Sequence, residues 1–536
     1  MHNRSRRGVG IRLPRRAALA LPALLGVGAL ASCAKERPTP VVKATGATSA
    51  GASASAGTGG AVPVRATLLG QEVTLAVGPV VRTEHEGEEL AILPIHADSA
   101  DANTAPVRLG ERLIGSLLSS LADYKPLRLI DTAGSRLWST TSRQVLFTEL
   151  RPGRSQDLRA TFGPVDVDAV TVFLSGFGFA EVPVVDADAD GAPRLDVAAI
   201  VEAATPNAAL RDPVPLERYA EALDGSSSGL TTDEETTVDV SSDVTFGSDS
   251  AELSADADAV LTGVAQTIAE YDGGQLEIVG HTDDVGDDAH NQTLSEQRAQ
   301  AVSDRLGELT DLGAWQVAVS GKGEGDPKVS NDSDAHRQAN RRVEIIITPT
   351  GGTDGSLSRS DVDTALPPAA GPEGSGPEGI TVDAVAPDTG QLVVSLERVT
   401  RRDGLLLGEL RLRGGKGGSV AALNLGWLND PGEALANARG ELGGLTSVFS
   451  AGGLTLLAGS DRVYPVDYLL KGASAHRALT ELDLTDELAE GEELTACVVW
   501  PDTGEDTVVV DHPGGNADDG VVAYPWRLTG VPVVAD

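Results

Sequence analysis

The amino-acid sequence predicts a multidomain chain in which a central α/β domain, of order β-α-β-α-β-β, is flanked by two antiparallel β-sandwiches. Three observations carry this prediction. The chain has 536 residues, several times the roughly 150 of a typical domain. Residues 65–186 and 380–536 hold apolar residues at period two or in short runs, bounded by Gly, Pro and Asp, which is the pattern of strands joined by turns. Between them, residues 236–349 alternate strand and helix periods.

Composition narrows the function. Lys and Arg number 42 against 79 Asp and Glu, so a net charge of −37 repels phosphate backbones and excludes nucleic acid as a partner. Cys33 and Cys497 are the only cysteines, too few for a disulfide scaffold or a cysteine-based zinc site.

The N-terminus reads as an address and an anchor. Arg4, Arg6, Arg7, Arg12, Arg15 and Arg16 precede an apolar run from Ala17 to Ala31, short for a membrane span and suited to the core of a signal peptide over residues 1–32. Leu30-Ala31-Ser32-Cys33 resembles the lipobox of bacterial lipoproteins, which implies that Cys33 carries the lipid and starts the mature chain. Two or more acyl chains hold a protein stably on a bilayer. Arg15-Arg16 is the dipeptide of a twin-arginine signal without the rest of that motif, so the export route is not assigned.

Residues 33–64 are small and polar without hydrophobic period, a flexible tether whose typical reach is about 30 Å. Residues 187–235 read as an acidic linker and residues 350–379 as a Gly/Pro-rich one. The two outer regions suggest an internal repeat. Residues 73–82 followed by 90–95 parallel 392–401 followed by 405–410, and 127–136 parallels 454–462. Glu149, Leu150, Gly153, Leu158, Ala160 and Pro164 match Glu487, Leu488, Gly491, Leu494, Ala496 and Pro501. Both copies end in Val-Pro-Val-Val, at 182–185 and 531–534.

Within the central region, residues 236–240, 275–280, 316–320 and 343–348 read as strands. Ser254 caps a helix with Val260, Leu261, Val264, Ala265 and Ile268 on its apolar face, and a second helix over about 290–310 buries Ala299, Val302, Leu306 and Leu309.

Four motifs in order then carry a family resemblance: Val279-Gly-His-Thr-Asp-Asp-Val-Gly286, Asn291-Gln-Thr-Leu-Ser-Glu-Gln-Arg-Ala299, Gly321-Lys-Gly323 and Asn340-Arg-Arg-Val-Glu344. This region resembles the OmpA-like C-terminal domain, found also in peptidoglycan-associated lipoprotein and in flagellar stators. The resemblance implies non-covalent binding of peptidoglycan through the diaminopimelate of its peptide stem, with Asp283 and Arg298 gripping the zwitterionic end. It also places Arg341 at the same pocket and Asp249 at a further contact.

Charge chemistry agrees with that reading. An amino-acid head group needs one carboxylate and one planar guanidinium fork converging on it. Asp283 lies in the loop after a strand, and Asn291, Leu294 or Ser295, and Arg298 recur on one helix face at three- and four-residue steps. Asn291 can donate and accept, and Leu294 can cover the aliphatic part of the ligand.

Two further patterns are set aside. His281 and His290 among four acids fit no common metal spacing. Asp186, Asp188, Asp190 and Gly191 begin like a calcium loop, but Val197 stands where the bidentate Glu belongs. The sequence holds no Gly-x-Ser-x-Gly elbow, phosphate-binding loop or His-Glu-x-x-His helix, so no enzyme, metal or cofactor is expected. The expected protein is an envelope lipoprotein joining a membrane to the cell wall, facing the wall, with any protein partner of the outer domains unassigned. The alternative is a wall hydrolase or surface receptor whose activity lies in the outer domains.

Overall fold

The computed structural model describes residues 60–113, 126–142, 149–353, 355, 357, 366–383, 390–421, 435, 438, 439, 441, 451–473, 475–480, 487–513, 515–516, 522–523 and 525–535. The expected signal peptide, Cys33 and residues 34–59 of the expected tether lie outside them. The protein is mostly β with few helices.

The first outer region includes β1 (Val62–Leu68), β2 (Gln71–Val77), β3 (Val80–His85), β4 (Glu88–Ser99), β5 (Arg128–Asp131), β6 (Arg136–Ser139), β7 (Ser155–Phe162), β8 (Ala169–Leu174) and β9 (Gly178–Asp186). β1 thus begins at Val62, inside the stretch 33–64 that composition assigns to a tether. In β2, Val73, Leu75 and Val77 alternate inward, as a half-buried strand requires. The β3–β4 hairpin turns at Glu86 and Gly87, whose φ angles of 54° and 84° suit the right-handed twist of the flanking strands.

Next in the chain come α1 (Val197–Ala204), the two-residue strand β10 (Val214–Pro215), β11 (Arg218–Ala222) and β12 (Ser227–Thr231). The central domain holds β13 (Thr236–Ser241), α2 (Ala257–Ala269), β14 (Gly274–Gly280), α3 (Asp288–Leu309), β15 (Trp315–Gly321), α4 (Asp334–Asn340) and β16 (Arg342–Pro349). The second outer region holds β17 (Ile380–Asp383), β18 (Gln391–Ser395), β19 (Val399–Arg402), β20 (Leu405–Gly414), β21 (Thr455–Ala458), β22 (Asp461–Val463), β23 (Glu493–Pro501), β24 (Thr507–His512) and β25 (Trp526–Ala535).

The two outer sheets follow one path. The first runs β1-β2-β4-β3-β9-β8-β5-β6-β10 with β7 on the other edge of β4, and the second runs β17-β18-β20-β19-β25-β24-β21-β22-β11 with β23 on the other edge of β20. The β3/β9 and β19/β25 pairings are parallel, and the other pairings along both paths are antiparallel. Asp403 and Gly404 repeat the turn of Glu86 and Gly87, with φ of 46° and 75°. Each path has its own core, around Leu75, Leu93, Trp138 and Val172 in the first and Val394, Leu410, Trp500 and Leu528 in the second. Strands from both ends of a path share that core, so each sheet curls on itself.

The copies also pack on each other. Ile130, Leu137 and Phe173 of the first join Leu405, Val466 and Val499 of the second in one buried cluster, and each such side chain contributes about 1.5 to 3 kcal/mol. The fully buried Arg128 stacks 3.9 Å over the Phe173 ring and donates Nη2 to the Thr480 carbonyl at 2.9 Å.

The linker assignments require correction. Residues 187–235 are not a linker: β10 pairs with β6, and after a two-residue step β11 pairs with β22 of the other copy. β12 then joins β11 to β13, so the second outer sheet continues without a break into the central one, β13-β16-β14-β15. These strands bury small or polar residues such as Arg218, Ala220, Ala222 and Gly229, which hide the period-two signal that apolar side chains would give. The expected linker at 350–379 is docked at both ends. Thr353 N donates to the Asp233 carbonyl at 3.0 Å, and Glu373–Ser375 pairs in parallel with β25; residues 358–365 lie outside the description.

In the central domain β14 and β15 are parallel, linked through α3, and β16 lies antiparallel between β13 and β14. α2 and α3 bury Val260, Leu261, Val264, Ile268, Ala299, Val302 and Leu306 on this sheet.

Candidate functional site

The site forms where β14 gives way to α3. Gly280 ends the strand against the helix so closely that a Cβ there would lie 2.1 Å from the Ser295 carbonyl oxygen. Gly321 makes the matching approach from β15, where a Cβ would lie 2.3 Å from Ser295 Oγ. Ser295 is fully buried at this junction, donating to the Gln292 carbonyl at 2.8 Å and accepting from Gly323 N at 3.0 Å. The Gly280→Ala substitution is expected to force α3 away and destabilise the central domain by about 1 to 3 kcal/mol, the usual cost of overpacking. Unfolding of the variant by denaturant measures this, and an unchanged midpoint would mean that the contact relaxes freely.

The loop after β14 is pinned on both sides. His281 N donates to the Arg342 carbonyl and Thr282 N to the Gly323 carbonyl, each at 2.9 Å. These bonds orient Asp283, which is 8% exposed. Its Oδ1 accepts from Val285 N at 3.2 Å and its Oδ2 from Arg341 Nη1 at 2.6 Å. Asp243 clamps the rest of that guanidinium, accepting from Nε at 2.8 Å and Nη2 at 2.7 Å. The Asp243 hydrogen bonds, aided by Asp283 and opposed by burial, hold the Arg341 pKa above its ordinary value.

Arg298 stands apart from this array. It is 5% exposed, donates Nε to the Ser250 carbonyl at 2.9 Å and lies 5.2 Å over the Phe246 ring. Among the described residues its two Nη atoms have no hydrogen-bond partner. Burial lowers its pKa from the ordinary arginine value, against the attraction of Asp243, Asp249 and Asp283. Asp283 and Arg298 are thus close enough to feel each other's charge but do not form an ion pair. An arginine fork is open, and a carboxylate nearby is already oriented.

The other expected residues divide. Asn291 is buried and donates Nδ2 to Glu324 Oε2 at 2.8 Å, with a longer contact to the Asp283 carbonyl at 3.3 Å, so it braces the loop. Leu294 is half-buried on α3. Asp249 is exposed in a left-handed turn, φ 54°, and bonds His290 Nε2 at 2.6 Å. Sequence reasoning missed Asp243, Phe246 and His290. Asp243 lies within a single helical turn after β13 and Phe246 follows its last residue, so an acid followed three residues later by an aromatic was the available signal.

This architecture defines an α/β domain that presents a guanidinium whose Nη atoms have no acceptor among the described residues, beside an oriented carboxylate. Residues 245–341 match the OmpA family, and the central domain is an OmpA-like domain. Similar proteins include the outer-membrane lipoprotein YfiB of Pseudomonas aeruginosa, 37% identical over 108 residues, covering 20% of this chain and 64% of that protein. The probable lipoprotein YiaD of Escherichia coli is 37% identical over 107 residues, covering 20% of this chain and 48% of its own length. The chain thus spans less than two thirds of either relative. Among solved structures, the cell wall anchor of the T6SS from Pseudomonas aeruginosa shares 30% identity with a TM-score of 0.20, covering 22% of this chain and 83% of that one.

Proposed function

We propose that this protein is a cell-envelope lipoprotein that binds peptidoglycan non-covalently, with Arg298 receiving the carboxylate and Asp283 the ammonium of a diaminopimelate head group. The observation that carries the reading is the open Arg298 fork, buried in an OmpA-like domain with no protein acceptor on its Nη atoms among the described residues. Charge-assisted bonds to a planar fork suit a carboxylate. The Asp283 carboxylate, oriented by Arg341, supplies the complementary charge. Similarity to the lipoproteins YfiB and YiaD supports an envelope location. In this reading Cys33 bears the lipid, the domain faces the wall, and the protein acts by binding and not by catalysis.

Two measurements test it. Purified protein should pellet with peptidoglycan without releasing soluble fragments, whereas release would transfer the function to the hydrolase alternative. The Cys33→Ala variant should leave the membrane fraction and lose label from a fatty-acid probe; equal labelling would place the anchor elsewhere.

A further inference from the structure

A groove of about 280 Å³ opens beside the Arg341 clamp, between the β11–β12 hairpin and α4. Ser227 and Ser228 line one wall, Ala335 and Gln338 the other, and Lys328 and Arg341 border it. Arg341 thus belongs both to this groove and to the Asp283 pair. The hairpin wall lies outside the 245–341 stretch that matches the family. It belongs to the strands that fuse the central sheet to the second outer copy.

We infer that this groove is a second subsite, which receives the part of a wall fragment covalently continuous with the diaminopimelate residue. The inference rests on the wall-binding reading. A residue within a stem peptide must lead its neighbours out of the head-group site, and the groove starts at the residue that orients Asp283. Its chemistry suits amides and hydroxyls. The Gln338 carboxamide is exposed, and neither it nor the Ser227 hydroxyl has a hydrogen-bond partner among the described residues. Lys328 is held by Asp239 at 2.8 Å, which leaves a polar border whose charge is already compensated. Ala222, Gly225, Ala335 and Ala339 keep the walls low, so an extended chain can lie between them. The hairpin is hydrogen-bonded on both edges, to β22 and to β13, so the wall is preformed.

The test compares two probes on the full-length protein by calorimetry: free diaminopimelate, and a muropeptide monomer carrying the disaccharide and stem peptide. Ser228→Trp and Ala335→Trp each fill the groove; Ala335 lies on the exposed face of α4, so that variant keeps the fold. Both should weaken the muropeptide at least about tenfold, about 1.4 kcal/mol, and leave free diaminopimelate within about twofold. Arg298→Lys should weaken both probes. If the groove variants bind muropeptide like the parent while Arg298→Lys loses both probes, the subsite is overturned and the wall-binding reading stands. If the parent binds neither probe, both are overturned.

Discussion

Arg298→Lys is expected to lower affinity for peptidoglycan at least about thirtyfold, or about 2 to 5 kcal/mol for a buried charged contact, while the central domain stays folded. Lysine keeps the positive charge but not the fork, so it cannot make two parallel bonds to a carboxylate while lying over Phe246. Asp283→Asn should cause a loss of the same order for the complementary reason, since the ligand ammonium would meet an amide instead of a carboxylate. Folding should survive this second change. Arg341 keeps both bonds to Asp243, so no cation is left without a counter-ion when the Asp283 charge is removed. Sedimentation with peptidoglycan reads the affinity and a thermal melt reads the fold. Parental binding by both variants would reduce these residues to scaffold, and so would unfolding of both.

The largest effect on stability should come from Arg439→Met, at about 3 to 5 kcal/mol, the cost of stripping the counter-ion from buried charge. Arg439 Nη1 lies 3.1 Å from both oxygens of the fully buried Asp467, and its Nη2 donates to Glu217 Oε2 at 2.6 Å. His476 completes the cluster, with Nδ1 on Glu441 Oε1 at 2.5 Å and Nε2 within 3.1 Å of Glu217 Oε1. Glu217, Asp467 and His476 could hold a metal ion by distance, but the Arg439 guanidinium already supplies the positive charge at their centre. The cluster sits where the chain passes between copies: Leu216 N donates to the Ser135 carbonyl of the first, and Glu217 N to the Asp467 carbonyl of the second, each at 2.8 Å. Asp467→Asn combined with Arg439→Met should recover part of the loss, because the stranded charge is then absent.

The same cluster sets a pH dependence. Burial lowers the His476 pKa, but Glu217 and Glu441 outweigh it and raise the value from 6.5 to about 9. The stabilisation from His476 is therefore complete below about pH 6.5 and is lost as pH rises through about 9. Burial lifts Asp467 from 3.8 to about 7, against the pull of Arg439 and His476, so its ionisation also removes stability as pH rises, over about 4 to 7. The thermal midpoint should fall from pH 6 to pH 9. A midpoint that rose over this interval, or an Arg439→Met variant within about 1 kcal/mol of the parent, would show that the cluster does not hold the joint.

Several features were legible because local chemistry decides them. Val260, Leu261, Val264 and Ile268 recur at helical spacing and are buried on α2 as that spacing requires. The motifs around Asp283, Arg298 and Arg341 mark the site because each is tied to a structural junction, the first to the end of β14 and the second to α3 three residues beyond Ser295. Nothing local indicated that Asp283 would pair with Arg341 and leave Arg298 open. These residues come from separate elements, and the pairing is decided by the Asp243 clamp on a turn after β13.

The sequence by itself determined the central OmpA-like domain, its strand and helix periods, the strongly negative net charge, and the similarity between the outer regions. Only the tertiary structure decided that the stretch 187–235 holds the strands β10, β11 and β12, that the copies pack through Phe173 and Leu405, and that one sheet runs from the second copy into the central domain. The physical reason is that strand pairing is carried by backbone hydrogen bonds, whose partners lie far apart in the chain. β11 and β12 bury arginine, alanine and glycine and so carry little hydrophobic signal of their own; their place is set by β22 and β13 on either side.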